Sequence, residues 1–503
     1  MLRSLLLLIF VLHQILETPK LLAVNLSEGL KLVRRQNLEL AELREQENQA
    51  TARAQKVLGA YDSELAWTSS HSTDRSKSQT NSYEKLTTTS HELSWQKFTG
   101  LGSSIKLGLN YQNTELEFPT PSPPVVISPG IEIDAYNPPD SFSLNPQHQS
   151  SLSIEFSQAL WRNWLAKELD LQQIILRGSA IPPRYQRFMK EQQIQGETEL
   201  LFVKLSQLRE QERLIQRMTQ LSEKFYQLMS KRDTYGRAEQ LDVAEAKAQV
   251  VKVGGQLLNI KLAIKNIEKQ LSFRLYSKSM PQSVSFETFP LTRPAIPLPA
   301  ATSKKLIQTA LEKRFDLAML SDSVNPLRAQ LDLAKEQKSM SVNLFGSATI
   351  NGLEEEATEA VSELKHPKYT VGLKLAVPLG QNSFRAEEEQ VLAGLNEIEH
   401  KKSLSIHYIK RDVELAWLAL NSADQLYKQA KSHESSLAAL LKEERKRISQ
   451  ARSDEIAAIR YRIDILGAKM DAVKALADAR ESEARIRLIC HAYPSERQHE
   501  TNH

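Results

Sequence analysis

The chain has 503 residues, 25% of them charged, a net charge of +4 and one cysteine, Cys490. A balance this even carries no mark of a nucleic-acid binder, and a lone cysteine excludes an internal disulfide framework. Aromatics at 6% and an abundance of Ala, Leu, Glu, Lys and Gln favour long helices.

Residues 1–23 read as a secretory signal: Arg3 supplies a positive start, an apolar run extends from Leu5 to Leu12, and Ala23 offers a cleavage position. No later stretch holds 18 consecutive apolar residues, so any contact with membrane lipid falls to strands. Leu26 to about Ala60 has helical periodicity. Tyr61–His71 then alternates, with Leu65 and Trp67 on one side and Glu64, Ala66 and Thr68 on the other, as in a half-buried strand. Leu93 and Trp95, then Ile105, Leu107, Leu109 and Tyr111, alternate about Thr99–Gly102 and predict a hairpin. Residues 119–146 form a Pro-rich loop, and Leu152, Ile154 and Phe156 mark another strand.

Asn163 to about Arg232 reads as a long helix, kinked or broken at Pro182-Pro183. It reverses at Tyr235-Gly236-Arg237 and returns as a helix from Ala238 to about Leu275. Leu241, Ala244, Ala248, Val251, Leu258 and Leu262 form one seam of that helix. A Pro-rich connector spans residues 281–300. The order then repeats: a helix over Ser303–Met340, a strand over Ser341–Ile350, an acidic loop over 351–367 and a strand over Tyr369–Leu379. The longest helix opens at Ser383 and turns near Ala451, and a returning helix ends near Cys490. On this last helix Ile456, Ile459, Ile463, Leu466, Met470, Val473 and Ala477 alternate steps of three and four, a heptad seam that faces a partner helix.

Two halves therefore match in order, residues 24–280 and 301–489, with a polar tail over 490–503. Asn37-Leu38-Glu39-Leu40-Ala41 corresponds to Arg314-Phe315-Asp316-Leu317-Ala318, and Arg232–Arg237 corresponds to Arg447–Arg452. The first half alone carries the extra hairpin and Pro-rich loop, about residues 73–150. A doubled helix–strand–strand–long helix–turn–helix is a diagnostic architecture. Over about residues 26–489 the chain resembles the TolC-like outer-membrane efflux protein family. The tip motif of that family, Arg-x-x-x-Gly followed six residues later by an acid, stands here as Arg232, Gly236 and Asp242. In the second copy Ala451 replaces Gly, and Ala457 replaces the acid. The resemblance implies a mainly α fold with a membrane β-barrel portion, in which three chains share one barrel in the outer membrane and one α-helical tunnel across the periplasm.

The resemblance makes the two reversals the pore entrance and the docking surface for a periplasmic adaptor. The residues it singles out are Arg232, Gly236, Arg237, Asp242, Glu245, Arg447, Ala451 and Arg452. Each has a plainer reading. Gly236 suits any helical hairpin that needs a positive φ, the arginines suit any exposed helix, and Asp242 and Glu245 suit a solvated helix face. A ring of those acids from three chains would attract cations. His400 and His407 stand two turns apart and read as surface residues rather than a metal pair. No phosphate-binding loop, zinc-protease motif or nucleophile elbow occurs, so no enzyme, cofactor or metal centre is expected.

The expected function is a homotrimeric exit duct for efflux or type I secretion, in contact with outer-membrane lipid, an adaptor and an inner-membrane transporter. A periplasmic adaptor protein and a soluble coiled coil are the rival readings. The first would show a single hairpin, and the second would need neither alternating strands nor a signal. Two placements are open for the 73–150 insertion, in the barrel wall or standing above it. The favoured form extends the barrel strands outward with the Pro-rich segment outside the cell, and Lys97 and Lys106 are both expected on the inward side.

Overall fold

The computed structural model describes residues 22–76, 83–118, 125–128, 131–133, 145–236, 238–277, 284–293 and 301–495. Its first half holds β1 (Leu22–Val24), α1 (Leu26–Gln36), α2 (Leu38–Lys56), β2 (Ser63–Asp74), β3 (Lys85–Phe98), β4 (Ser103–Glu117), β5 (Val125–Ser128), β6 (Ile131–Ile133), β7 (Gln147–Ala159), α3 (Lys167–Gly178), α4 (Ile181–Thr234) and α5 (Gln240–Leu275). After β8 (Val284–Phe286) come α6 (Ala301–Lys313), α7 (Phe315–Asp322), α8 (Val324–Lys338), β9 (Ser341–Glu354), α9 (Ala357–Ser362), β10 (His366–Ala376), α10 (Asn382–Ser449) and α11 (Glu455–Ile489). Two units result. One gathers the chain up to Asn48, Ile181–Asp322 and everything from Ile398; the other gathers Gln49–Ala180 and Ser323–Glu397. The expected signal lies outside the described residues except for Leu22 and Ala23, which pair in parallel with Val284 and Ser285.

The first unit is helical. Its axis is α4, whose 54 residues span roughly 80 Å at 1.5 Å per residue. Pro182 and Pro183 do not kink a helix that begins at Asn163. They sit in the first turn of α4, where backbone N–H groups have no intrahelical acceptor to lose, and α3 has already ended at Gly178. The heptad seam of α11 finds its partner in α4. Ile456 and Ile459 pack with Phe225 and Met229, and Leu466, Ile463, Met470 and Val473 pack with Leu214, Ile215 and Met218. Helix α5 lies on α4 through Val253, Ile264, Leu271 and Leu275. The seam expected on α5 is a different stripe, and among the described residues nothing covers it: Leu241, Val251, Leu258 and Leu262 are all more than half exposed.

Helix α10, at 68 residues, matches the expected length, whereas the helix expected over Ser303–Met340 is three, α6, α7 and α8. The first interruption is a single residue, Arg314, whose guanidinium is bound by both oxygens of Asp316 at 2.9 Å. The break between α1 and α2 is likewise one residue, Asn37, whose side chain caps the N–H groups of Glu39 and Leu40. Residues Cys490–Ser495, expected to open a polar tail, are packed instead. The Tyr493 hydroxyl donates to Glu199 at 2.7 Å, its backbone exchanges two hydrogen bonds with Gln192, and His491 Nδ1 accepts from the Phe315 N–H at 3.0 Å. Residues 496–503 lie outside the described residues.

The second unit is built on a six-stranded antiparallel sheet of order β10-β9-β7-β4-β3-β2. Its register lines up apolar rows on one face. Trp67, Leu93, Leu109, Leu152 and Ile350 stand side by side, and so do Leu65, Trp95, Leu107, Ile154, Ala348 and Tyr369. The opposite face is polar, with Gln96, Lys106, Glu155 and Ser347 in one row and Glu92, Asn110, Ser151 and Asn351 in another. Lys106 lies there as expected, 3.3 Å from Glu92. Lys97 does not: it is two residues beyond Trp95, so the period-2 pleat puts it on the apolar side, at the strand end. The expected acidic loop 351–367 is mostly ordered, since β9 runs to Glu354 and α9 fills much of the remainder.

One end of the sheet carries the joints to helices and the tight Thr99–Gly102 turn, where Gly102 C=O accepts from the Ala159 N–H. Three residues at that end, Asn163, Leu165 and Ala166, adopt left-handed backbone where β7 gives way to α3. The chain between β4 and β7, which holds the Pro-rich segment, leaves the sheet at the opposite end. Residues 119–124, 129–130 and 134–144 of that segment lie outside the described residues.

Candidate functional site

Both reversals lie in the helical unit, and in both the turn demands a positive φ. In the first, Gly236 has φ +65° and donates its N–H to Asp233 C=O at 2.9 Å. Nothing lies within 4 Å of the Cβ position, so only the backbone angle calls for glycine there. Arg237 lies outside the described residues. In the second, α10 ends in a Schellman motif: Arg452 N–H donates to Arg447 C=O and Ala451 N–H to Ile448 C=O, both at 2.9 Å. Ala451 takes the left-handed position at φ +59°, where an L-residue with a Cβ is disfavoured by about 1–2 kcal/mol.

The two reversals are tied together. The Arg232 guanidinium donates to Asp454 Oδ2 at 2.6 Å, and Lys224 pairs with Glu455 one residue further on. Asp454 also caps α11, accepting from the N–H groups of Ile456 at 3.0 Å and Ala457 at 3.2 Å. Burial works to raise its pKa, but the cap N–H groups and Arg232 outweigh it and hold the carboxyl below its usual range. Arg447 lies 3.5 Å from Glu444, a buried carboxylate that also accepts from Ser453. Arg452 is exposed.

Asp242 performs a local task. It is the third residue of α5 and accepts from the Glu239 N–H at 3.3 Å, while Glu239 caps in return. Glu245 is exposed and makes no ion pair among the described residues. At the positions matched to these acids in the second copy, Ala457 N–H is capped by Asp454, and the Arg460 guanidinium lies over the Phe225 ring at 5.3 Å. Asp242 and Glu245 thus correspond to Ala457 and Arg460 in the second half, so this pair of acids belongs to the first reversal, while the second reversal has Asp454 and Glu455 at the start of α11 instead.

The structure brings together Arg232 and the second reversal, but through Asp454, which sequence reasoning passed over. Its signal was present, since an Asp two residues before the first apolar seam position, Ile456, is an N-cap pattern. His400 and His407 are exposed on α10, and among the described residues no group of His, Cys, Asp and Glu is gathered as a metal site requires. No described helix is long and apolar enough to cross a membrane.

No protein-family model matches the chain, and no curated protein matches it by sequence. Solved structures do match. The Campylobacter jejuni CmeC outer membrane channel superposes with a TM-score of 0.64 at 13% identity, over 95% of this chain and 88% of that one. The Neisseria gonorrhoeae MtrE outer membrane channel gives 0.62 at 13%, over 92% and 88%. The Vibrio cholerae outer membrane protein VceC gives 0.60 at 10%, over 92% and 95%. The chain has the TolC-like outer-membrane channel fold. The helical reversals and the sheet, which lie in separate units, each carry a distinct chemistry. The reversals carry the acids and the Arg232–Asp454 tie, and the sheet carries one apolar and one polar face.

Proposed function

We propose that three copies of this chain assemble into a channel-tunnel of the outer membrane, the exit duct of a tripartite efflux or type I secretion system. The observation that carries the reading is the six-stranded sheet, apolar on one face and polar on the other, with β2 and β10 as open edges among the described residues. One six-stranded sheet is too narrow to enclose a pore, and an open edge is not tolerated in lipid, so neighbouring copies must complete it. The unpartnered apolar stripe Leu241–Leu262 on α5 supports the same assembly, as a heptad seam awaiting a second chain. The single-residue breaks at Asn37 and Arg314, in segments matched between the halves, support the tandem repeat.

In this reading the polar sheet face lines the lumen, and the reversals form the periplasmic entrance where an adaptor docks. An inner-membrane transporter supplies the energy, and the chain performs no chemistry. The Arg232–Asp454 pair helps hold the entrance narrow. Protein purified from outer membranes and placed in planar bilayers is expected to give discrete channels. Arg232→Glu, which sets a carboxylate beside Asp454, is expected to raise their conductance severalfold. Absence of any channel contradicts the exit-duct reading, whereas unchanged conductance in Arg232→Glu removes only the role of the pair.

A further inference from the structure

We infer that the β3–β4 hairpin is a segment of the membrane wall and sets the bore of the pore, giving a trimeric barrel of eighteen strands rather than twelve. The inference rests on the trimeric reading above and concerns what the first-half insertion does within it.

Three observations carry it. First, β3 and β4 are interior strands of the sheet. β3 pairs with β2 from Lys97 to Leu86, and β4 pairs with β7 from Ser103 to Thr114. A hairpin standing clear of the wall would leave β2 to pair with β7 directly. Second, the hairpin continues both faces without a break in register. Leu93, Trp95, Leu107 and Leu109 fill the apolar rows between β2 and β7, while Glu92, Ser94, Gln96, Lys106 and Asn110 fill the polar ones. A soluble cap has no use for a lipid-facing row that matches its neighbours residue for residue. Third, the insertion adds two strands and so preserves alternation. All neighbours in the sheet are antiparallel, so β2 and β10 run in opposite directions, and β2 of one copy can continue the ladder beside β10 of the next.

The apolar band has a visible upper limit. Above Trp67 the same face carries stacked rings, His91 on Trp67 at 6.4 Å, Tyr111 on His91 at 6.3 Å and His148 on Tyr111 at 5.9 Å. The Tyr111 hydroxyl and His148 Nδ1 are 2.7 Å apart. Amphipathic rings in a row across β2, β3, β4 and β7 suit an interfacial girdle, and half of that row belongs to the hairpin. Beyond it β3 and β4 carry Thr87, Thr89, Asn113 and Glu115 on the same face, as strands do on leaving lipid.

Bore follows from strand number. With strands about 4.8 Å apart and tilted about 40°, eighteen close at a backbone radius of roughly 18 Å, against roughly 12 Å for twelve. The lumen cross-section about doubles, which points to bulkier cargo or a looser exit than a twelve-strand wall permits. The shorter wall is accessible to this chain. With β3 and β4 removed, β2 and β7 remain antiparallel, and Asp74 and Gln147 end at nearly the same level of the sheet.

The test is single-particle imaging of the full chain and of a variant in which residues 75–146 are replaced by a short turn. The full-length trimer is expected to show a barrel about 36 Å across at the backbone, and the variant one about 24 Å across. A full-length trimer with the narrower barrel overturns the inference and leaves the exit-duct reading intact, while an assembly that is not a trimer overturns that reading itself. Should the deletion fail to fold, reporters in the full chain decide. In a Cys490→Ser background, fluorophores on Leu93→Cys and Leu107→Cys are expected to be quenched by brominated lipid and one on Ser94→Cys is not. Equal, weak quenching at all three positions places the hairpin outside the wall.

Discussion

Ala451 and Gly236 occupy the same kind of backbone position, with φ of +59° and +65°, but only one of them is a residue that adopts it freely. The sequence shows where both turns fall, because helical periodicity stops on either side of each. It does not show that Ala451 is under strain, since alanine reads as a helix former until the angle is known. Replacing Ala451 with glycine is expected to stabilise the helical unit by about 1 kcal/mol, the left-handed penalty less the extra chain entropy of glycine. Replacing Gly236 with valine is expected to destabilise it by about 1–2 kcal/mol. Thermal unfolding of the two variants in detergent checks both signs; destabilisation by Ala451→Gly would contradict the assignment. Asp454 shows the other limit of reading by residue. Its N-cap pattern is local and was there to see, but its partner Arg232 lies 222 residues away, and no local pattern announces an ion pair at that separation.

Helix existence and length were legible because the apolar repeat persists over dozens of residues, as in α10 and α11. Helix interruptions were less so. Arg314 and Asn37 end helices with ordinary polar side chains, and what stops the chain there is a hydrogen-bond arrangement, Arg314 with Asp316 and Asn37 with the next turn. Partner choice was illegible too, because a seam states that a partner exists and not which. The α11 seam meets α4 inside the chain, while the α5 stripe is left exposed among the described residues. The C-terminal segment was misread because its hydrogen bonds run to α4 and α7, remote in sequence. It carries a pH dependence. Burial, aided by the Arg314 guanidinium and only partly offset by Asp316, depresses the His491 pKa from 6.5 to about 4. The unfolded imidazole takes up a proton near pH 6.5 that the folded one refuses until about pH 4. The native state therefore holds its full contribution above pH 6.5 and loses about 3 kcal/mol of it as pH falls through that window. Unfolding midpoints at pH 7.5 and 4.5 are expected to separate more in the wild-type protein than in His491→Asn. Equal separations would show that carboxylates such as Asp316 and Asp454 account for the whole acid sensitivity.

For the whole molecule, strand alternation in the sequence announced a sheet with a lipid-compatible face, and the doubled order of elements pointed to a TolC-like fold. The place of the first-half hairpin could not be read, because alternation shows that a segment is a strand but not which strands flank it. The central claim is that this sheet is closed by copies of itself. Cysteines placed on β2 and β10, such as Ala66→Cys scanned against Lys368→Cys, Thr370→Cys and Gly372→Cys in a Cys490→Ser background, measure that closure most directly. Oxidation in outer membranes is expected to give a covalent ladder that ends at three chains for at least one pairing. Crosslinks formed only within single chains, or a ladder that stops at another number, would contradict it.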